Sequence, residues 1–183
     1  MNHPVQREQL AEIMFETFNT PGLYISVQAA LAIAASWTSE DSLTRDLSGV
    51  VIDSGDGITH VIPVADGHVI GSGIKQLPLA GREVTNYILN QMRQRKEPVP
   101  PDQALETAKI LKERYAYICP DANKHSQKYD SFRDKYVRCY EGLSRATNRT
   151  WKCNIEKEQF LGPEIMFDPK VNNLNVVFLQ LSF

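Results

Sequence analysis

The stretch VVIDSGDGITHVIPV, residues 50–64, decides the fold of this chain. Two apolar runs rich in β-branched residues flank a short acidic turn, which contains Asp53, Ser54, Gly55, Asp56 and Gly57. This order of residues predicts a strand, a tight turn and a second strand. The two glycines can adopt positive φ, and they let another atom come close to bare backbone. The turn is therefore a candidate binding site as well as a connection.

Two interpretations of the turn are open. In the first, the amides of Gly55, Asp56 and Gly57 converge on an anion. A divalent cation then relieves the repulsion between phosphate and the carboxylates of Asp53 and Asp56, and Mg²⁺ suits that place because it bridges carboxylates and substrate phosphates. In the second, the stretch is an ordinary surface hairpin, where Asp and Gly are common.

Composition excludes several function classes. The chain has 183 residues, 42% hydrophobic and 23% charged, as in a globular protein of one large or two small domains. A net charge of −2 gives no electrostatic footprint for nucleic acid or anionic lipid. Three scattered cysteines favour a reducing compartment. The N-terminus is no signal peptide, and the longest apolar run, residues 23–37, is too short to span a bilayer. We expect a soluble cytoplasmic protein with no nucleic-acid partner and no membrane insertion.

Four elements are predicted before the hairpin. They are an amphipathic helix over residues 4–18 with Pro4 at its first position, a short buried strand over 23–27, a buried helix over 29–37 and a polar loop over 38–46. Gln28 stands at the junction between the strand and the second helix. A polar amide there must find partners or face a cavity, and a satisfied glutamine at a helix start is the simpler alternative.

A three-stranded antiparallel meander is predicted over residues 47–77, with a second turn at Asp66-Gly67. His60 follows the acidic turn by two or three residues, and a structural histidine in a strand is the simpler interpretation of it. The next segment opens with Leu79-Ala80-Gly81 and predicts a helix to about residue 96, with Val84, Tyr87, Ile88 and Met92 on one face. Arg82 is in its first turn, where a cation opposes the helix dipole, so Arg82 either has a partner or is solvated.

The last third of the chain is predicted to be mostly helical. A helix runs from Pro101 and Asp102 to about residue 117 with Leu105, Ala108, Leu111 and Tyr115 inward, and its polar strip of Lys109, Lys112 and Glu113 is equally consistent with a solvated face. The remaining predictions are a helix-like excursion over 121–142, a strand over 151–155, an apolar loop or short helix over 160–167 held by Pro163, and an uncharged apolar tail over 172–183.

Five motifs now agree in order and spacing with a known family. They are IMFETFNTPGLYISVQAALA at 13–32, VVIDSGDGITHVIPVADG at 50–67, LAGREVTNYI at 79–88, ETAKILKERYAYICPD at 106–121 and FLGPEIMF at 160–167. The chain resembles the actin family over residues 4–169. The segments ASWTS, YICPD and FLGPEI resemble the third class of actin-related proteins, subunits of the seven-part complex that nucleates branched actin filaments.

The resemblance implies a partial α/β fold of the actin-like ATPase type. It consists of a ribonuclease-H-like half with a central β-meander and an inserted helical small subdomain. The implied parts are a helix of the first actin half plus the hinge over 1–37, the meander with a phosphate loop over 38–78, the small subdomain over 79–151, a return to the second half over 152–170 and a tail outside the family over 171–183. ATP and Mg²⁺ would lie between the two halves.

The resemblance also implies roles for individual residues. Asp53 would hold Mg²⁺ through water, and Ser54, Gly55, Asp56 and Gly57 would form a phosphate loop. Gln28 would orient the attacking water, with His60 near that water. Arg82 would lie at the cleft mouth, and Lys112 and Glu113 would contact the nucleoside. Lys109 stands where actin has an arginine, so the positive charge is kept and the planar guanidinium group is lost.

The implied function is an ATP-binding structural subunit, with actin and the other subunits of the nucleating complex as partners, in the cytoplasm and cytoskeleton. We expect at most very weak ATP hydrolysis, because the chain shows one glycine-turn loop where the family uses two, and it looks truncated at both ends. A nucleotide-free interaction fragment with an actin-like surface is the alternative, and a sugar kinase or heat-shock-type ATPase is a more distant one.

Overall fold

The computed structural model describes residues 3–36 and 46–168, which divide into two compact units. The first unit holds the chain through Asp53 together with His60–Gln76, and the second holds Ser54–Thr59 and the chain from Leu77. The predictions for residue 37, for almost all of the 38–46 loop and for the 171–183 tail lie outside the described residues.

Three helical segments begin the first unit. They are α1 (Pro4–Glu12), a π-helix (Ile13–Thr17) and α2 (Gln28–Ala35). Pro4 opens α1 as predicted, since the missing amide of proline is not needed in the first turn. The π-turn is closed by the Phe18 amide, which donates to the Ile13 carbonyl at 3.3 Å. The predicted helix over 4–18 is therefore continuous, and its last turn is widened.

Two sequence predictions in this unit are wrong. Residues 23–27 form no strand, and Tyr24 is 83% exposed. A strand exists only where a neighbour accepts its hydrogen bonds, and no described strand pairs with this segment. Within α2 only Ala29 is buried, and Leu31 is 49% exposed. The apolar composition of α2 therefore does not mean that the helix is buried.

The sheet of the first unit has four strands, β1 (Gly49–Ser54), β2 (Thr59–Ala65), β3 (His68–Val69) and β4 (Lys75–Leu77). The order is β1-β2-β3, and β4 also pairs with β2. Asp66 and Gly67 have φ of 48° and 78°, which is the backbone of a type I′ hairpin turn, as the Asp-Gly pair predicts. The third predicted strand, 68–77, is interrupted by a 3₁₀ turn (Gly71–Gly73) and becomes β3 and β4.

The second unit packs helices against a β-hairpin. Its elements are α3 (Gly81–Gln94), α4 (Ala104–Tyr115), α5 (Ala122–Ser131), α6 (Arg133–Tyr136), β5 (Arg138–Leu143), β6 (Thr150–Ile155) and α7 (Glu158–Glu164). The strands β5 and β6 pair antiparallel, with Arg138 opposite Ile155 and Leu143 opposite Thr150. The main core of this unit consists of Val84, Tyr87, Ile88, Leu89, Met92, Ala104, Ala108, Leu111, Cys153, Ile155 and Ile165.

Most helix predictions in this unit are confirmed, with two corrections. The predicted buried face of α3 is buried, but Leu105 of α4 is 58% exposed rather than inward. The excursion predicted over 121–142 ends in a strand, since residues 138–143 pair with β6. The segment predicted as a loop or short helix around Pro163 is α7, with Pro163 inside it.

Candidate functional site

Gln28 and Asp53 meet in the first unit. Gln28 opens α2 and Asp53 lies on β1, and the Gln28 Nε2 donates to the Asp53 Oδ2 at 2.9 Å. Both side chains line a cavity of about 170 Å³. Since the two residues are 25 positions apart, their contact depends on the fold. His60 is the second residue of β2 and is half-buried, and within the described residues its ring has no hydrogen bond.

The acidic turn itself belongs to the second unit. Four residues, from Gly55 to Ile58, connect β1 to β2, and the Gly55 amide donates to the Ile58 carbonyl at 3.4 Å. The Gly55 amide therefore closes the turn and does not face an anion. Only two amides of the three-amide set expected from the sequence are left for that task, those of Asp56 and Gly57.

Helix α3 holds the other side of this turn. The Gly81 amide donates to the Gly55 carbonyl at 3.0 Å, and the Arg82 amide donates to the Asp56 carbonyl at 2.7 Å. These are first-turn amides of α3, which have no acceptor inside the helix. A Cβ on residue 81 would lie 3.2 Å from the Gly55 oxygen, so the approach suits glycine. The carbonyl groups of the turn thus accept the hydrogen bonds that the first amides of α3 cannot form within the helix.

The geometry of the peptide bond then fixes two donors. In a trans peptide the carbonyl oxygen and the following amide point in opposite directions, and the described residues contain no cis peptide. The Gly55 and Asp56 carbonyls point at α3, so the amides of Asp56 and Gly57 point away from it. Within the described residues neither amide donates to a protein acceptor. Two adjacent amides without a protein acceptor are available to donate to an anion.

Thr59 anchors the far end of the turn, a role that the sequence analysis missed. Its Oγ1 lies 2.6 Å from the Leu79 carbonyl and 2.8 Å from the Ser54 hydroxyl. Because the carbonyl can only accept, Thr59 donates to Leu79 and Ser54 donates to Thr59. The Ser54 hydroxyl is thereby committed inside the turn. The signal available in the sequence was a small polar residue at the start of an apolar strand.

Arg82 offsets the charge of the acidic turn. Its Nε lies 3.6 Å from the Asp56 Oδ2, and the two side chains are 62% and 72% exposed. Such an exposed pair adds little to stability. The Arg82 guanidinium also covers Gly57, where an added Cβ would collide with the Arg82 Nη2. Arg82 therefore has a partner and is also largely solvated, so both interpretations of its position hold in part. A positive charge at this place would reduce the repulsion between Asp56 and an anion.

The polar strip of α4 lies partly beside the turn. Lys112 is half-buried, and its Nζ donates to the Gly81 carbonyl at 3.1 Å. Lys109 is exposed and lines a cavity of about 460 Å³ that it shares with Asp56 and Arg82. Glu113 is exposed, and no described residue forms an ion pair with it. The structure thus brings Lys109 and Lys112 to the turn and leaves Glu113 facing solvent.

A phosphate group and Mg²⁺ both fit the residues present. The two free amides suit phosphate oxygens. The described residues hold no group of three or more His, Cys, Asp or Glu side chains able to ligate a metal. Mg²⁺ needs no such cage, because one or two carboxylates, several waters and substrate phosphates complete its shell. Asp53 can supply one such carboxylate.

Comparison with known proteins finds similarity over most of the chain. The family model described as Actin matches residues 1–142. Actin-related protein 3 of Drosophila melanogaster is 53% identical over 173 residues, which is 94% of this chain and 41% of that protein. Actin-related protein 3 of Acanthamoeba castellanii is 55% identical over 165 residues, which is 90% of this chain and 39% of that protein. The chain thus spans about two fifths of these relatives. No helix in the described ranges is long and apolar enough to cross a membrane. This chain belongs to the actin family.

Proposed function

We propose that the chain is an ATP-binding part of a structural subunit in the complex that nucleates branched actin filaments. One observation carries the ATP proposal, namely that α3 turns the amides of Asp56 and Gly57 outward. The similarity to Actin-related protein 3 over most of the chain supports the place in the complex. Actin and the other subunits of that complex are the proposed partners, and the cytoplasm and cytoskeleton are the proposed location.

Within this proposal each side chain has a limited task. The amides of Asp56 and Gly57 donate to phosphate oxygens, and Arg82 reduces the opposing charge of Asp56. Asp53 would hold a magnesium ion through water, and the ion would supply charge neutralisation to the phosphates. Ser54 keeps the turn in shape through Thr59. Lys109, Lys112 and Glu113 are assigned to the nucleoside side.

Hydrolysis is proposed to be very weak at most. Gln28 is a neutral amide, so it can orient a water but cannot take a proton from it. One Nε2 hydrogen is donated to Asp53, which leaves the second hydrogen and Oε1 for the water. The resemblance to the actin family assigns His60 to the neighbourhood of that water. The chain is therefore proposed to act by its shape and its bound nucleotide rather than as an enzyme.

An interaction role without nucleotide is the second candidate. Large apolar side chains of the first unit face solvent on α1 and the π-turn, namely Leu10, Ile13, Phe15 and Phe18. Contiguous exposed apolar surface commonly marks a protein contact. This candidate differs from the first only in whether the turn binds phosphate.

Calorimetric titration of Mg²⁺–ATP into the full chain separates the two. We expect micromolar binding that Asp53→Asn weakens by at least about tenfold, since a magnesium ligand loses its charge. Asp66→Asn is the matched control, because Asp66 begins the other Asp-Gly turn of the sheet, and it should bind like the parent chain. Absence of heat up to millimolar Mg²⁺–ATP would favour the nucleotide-free role.

A further inference from the structure

Lys112 lies at one end of a hydrogen-bonded chain that reaches the free amide of Gly57. Its ammonium donates to the Gly81 carbonyl at 3.1 Å. The same peptide unit carries the Arg82 amide, which donates to the Asp56 carbonyl at 2.7 Å. The peptide unit of Asp56 in turn carries the Gly57 amide. Two peptide units therefore join a positive charge to an outward-facing donor.

Such a chain strengthens its terminal donor. A peptide group that accepts a hydrogen bond at its carbonyl becomes a better donor at its amide, because the successive dipoles polarise each other. Lys112 places a full charge at the start of this series, and it is half-buried, where solvent screens the charge less. The Gly57 amide is thus polarised from a distance, without contact between Lys112 and the anion.

We propose that Lys112 is a positioning residue for the phosphate turn, acting on the Gly57 amide through the peptides of Gly81 and Asp56. The inference rests on the proposed function, and it adds a second task to the nucleoside contact assigned to Lys112. An ammonium has three donors, and one of them is used by Gly81. Two remain for a nucleoside, so binding at the nucleoside and at the turn would be coupled through this one residue.

The neighbouring amide provides an internal control. The Gly55 carbonyl accepts from the Gly81 amide, so the Asp56 amide stands at the end of a separate chain. The Gly81 amide shares its peptide unit with the Ala80 carbonyl, so this second series of hydrogen bonds leads to the Glu83 amide, which donates to that carbonyl at 3.1 Å. Lys112 takes no part in it. Loss of the Lys112 charge should therefore affect Gly57 and leave Asp56 nearly unchanged.

The test is nuclear magnetic resonance of the full chain, first without ligand and then with tripolyphosphate. In Lys112→Met the amide protons of Arg82 and Gly57 should move upfield relative to the parent chain, while that of Asp56 stays in place. The affinity for tripolyphosphate should fall about fivefold, and Lys112→Arg should remain within about twofold. Lys128→Met removes an exposed charge on α5 and should change neither quantity.

The outcomes are distinguishable. If Lys112→Met leaves the Gly57 amide in place, or moves Gly57 and Asp56 equally, the relay is wrong even if phosphate binds. If the parent chain fails to bind tripolyphosphate, the proposed function fails, and the phosphate role of Lys112 fails with it. Lys112→Gln keeps a neutral donor, so it serves as a second variant if the methionine chain does not fold. It should move the Gly57 amide in the same direction by a smaller amount.

Discussion

Gly57 shows how the site depends on single atoms. The guanidinium of Arg82 covers this residue, and a Cβ there would collide with Nη2. Since Nη2 is the far end of a flexible side chain, Arg82 can move away at little cost. The substitution therefore separates the effect of Arg82 on the anion site from the stability of the turn.

We expect Gly57→Ala to weaken Mg²⁺–ATP binding about tenfold, because Asp56 then faces the phosphates without its counter-charge. The free energy of unfolding should change by less than about 1 kcal/mol. Calorimetry and urea unfolding measure the two quantities. Gly55→Ala is the control, since a Cβ there meets no atom within 4 Å. Unchanged affinity in Gly57→Ala would mean that Arg82 does not assist phosphate binding.

The three cysteines should differ sharply in reactivity. Burial raises the pKa of the Cys153 thiol to about 12 and also raises the pKa of Cys119, whereas Cys139 is exposed. At pH 8 only about one Cys153 thiol in ten thousand is ionised, and the thiolate is the reactive form. We expect iodoacetamide to label Cys139 in the native chain and the other two only in denaturant, as read by mass spectrometry. Rapid native labelling of Cys153 would contradict the packing described.

The pKa of Cys153 also has a consequence for stability. A raised folded-state pKa means that the contribution of the buried thiol is complete below its ordinary pKa of 9.0 and is lost as the pH rises towards about 12. Ionisation of this thiol should therefore cause no pH dependence of the free energy of unfolding near neutral pH.

Sequence reasoning identified the residues of the turn but not all of their partners. Asp56, Gly57 and Arg82 stand out because charge and glycine in a short turn are chemically conspicuous. Thr59 and Gly81 do not, since their roles are a hydrogen bond to Leu79 and a close approach to Gly55. Contacts between segments 20 or more residues apart depend on how the chain packs.

At the scale of elements, one ion pair joins the end of α3 to the start of α7. Arg95 donates to both carboxylate oxygens of Glu158, at 2.9 and 2.5 Å, and Glu158 is 1% exposed. Burial opposes the charge of Arg95, but hydrogen bonds and the charge of Glu158 outweigh it and raise the pKa of Arg95. Arg95 therefore keeps its charge, and its hydrogen bonds to Glu158 fix α7 against the core.

Glu158→Ala should destabilise the second unit by about 3 kcal/mol, because it leaves Arg95 partly buried without its main partner. Urea unfolding measures the loss. The control is Glu106→Ala, which breaks the exposed pair with Arg145 and should cost less than about 1 kcal/mol. Equal losses in the two variants would mean that the Glu158 pair contributes no more than a surface pair.

Elements with a clear period were predicted well, and elements defined by pairing were not. The face of α3 follows the helical repeat, and its burial is confirmed. Aromatic residues at 129, 132, 136 and 140 have helical spacing and favour a helix-like excursion over 121–142, yet Tyr140 lies on β5 opposite Cys153. Residues 23–27 have the composition of a strand but no described partner. Pairing is a non-local property that a local pattern does not contain.

At the scale of the whole molecule, the chain divides into two compact units, and each carries candidate site residues of its own. Asp53 and Ser54 are consecutive in the sequence, yet Asp53 belongs to the first unit and Ser54 to the second. The Gln28–Asp53 pair and the phosphate turn are thus carried by separately packed parts of the chain. The family and its α/β character could be predicted from five motifs in order. The direction of the Asp56 and Gly57 amides could not, since it follows from the docking of α3.

The most direct test of the account is the response of the Asp56 and Gly57 amides to Mg²⁺–ATP, followed by nuclear magnetic resonance of the full chain. Both amide protons should move downfield together and saturate at the same nucleotide concentration, while the amide of Gly67 in the other Asp-Gly turn stays in place. If nucleotide binds and these two amides do not move, the phosphates lie elsewhere. The central claim, that α3 presents two backbone donors to phosphate, would then be wrong.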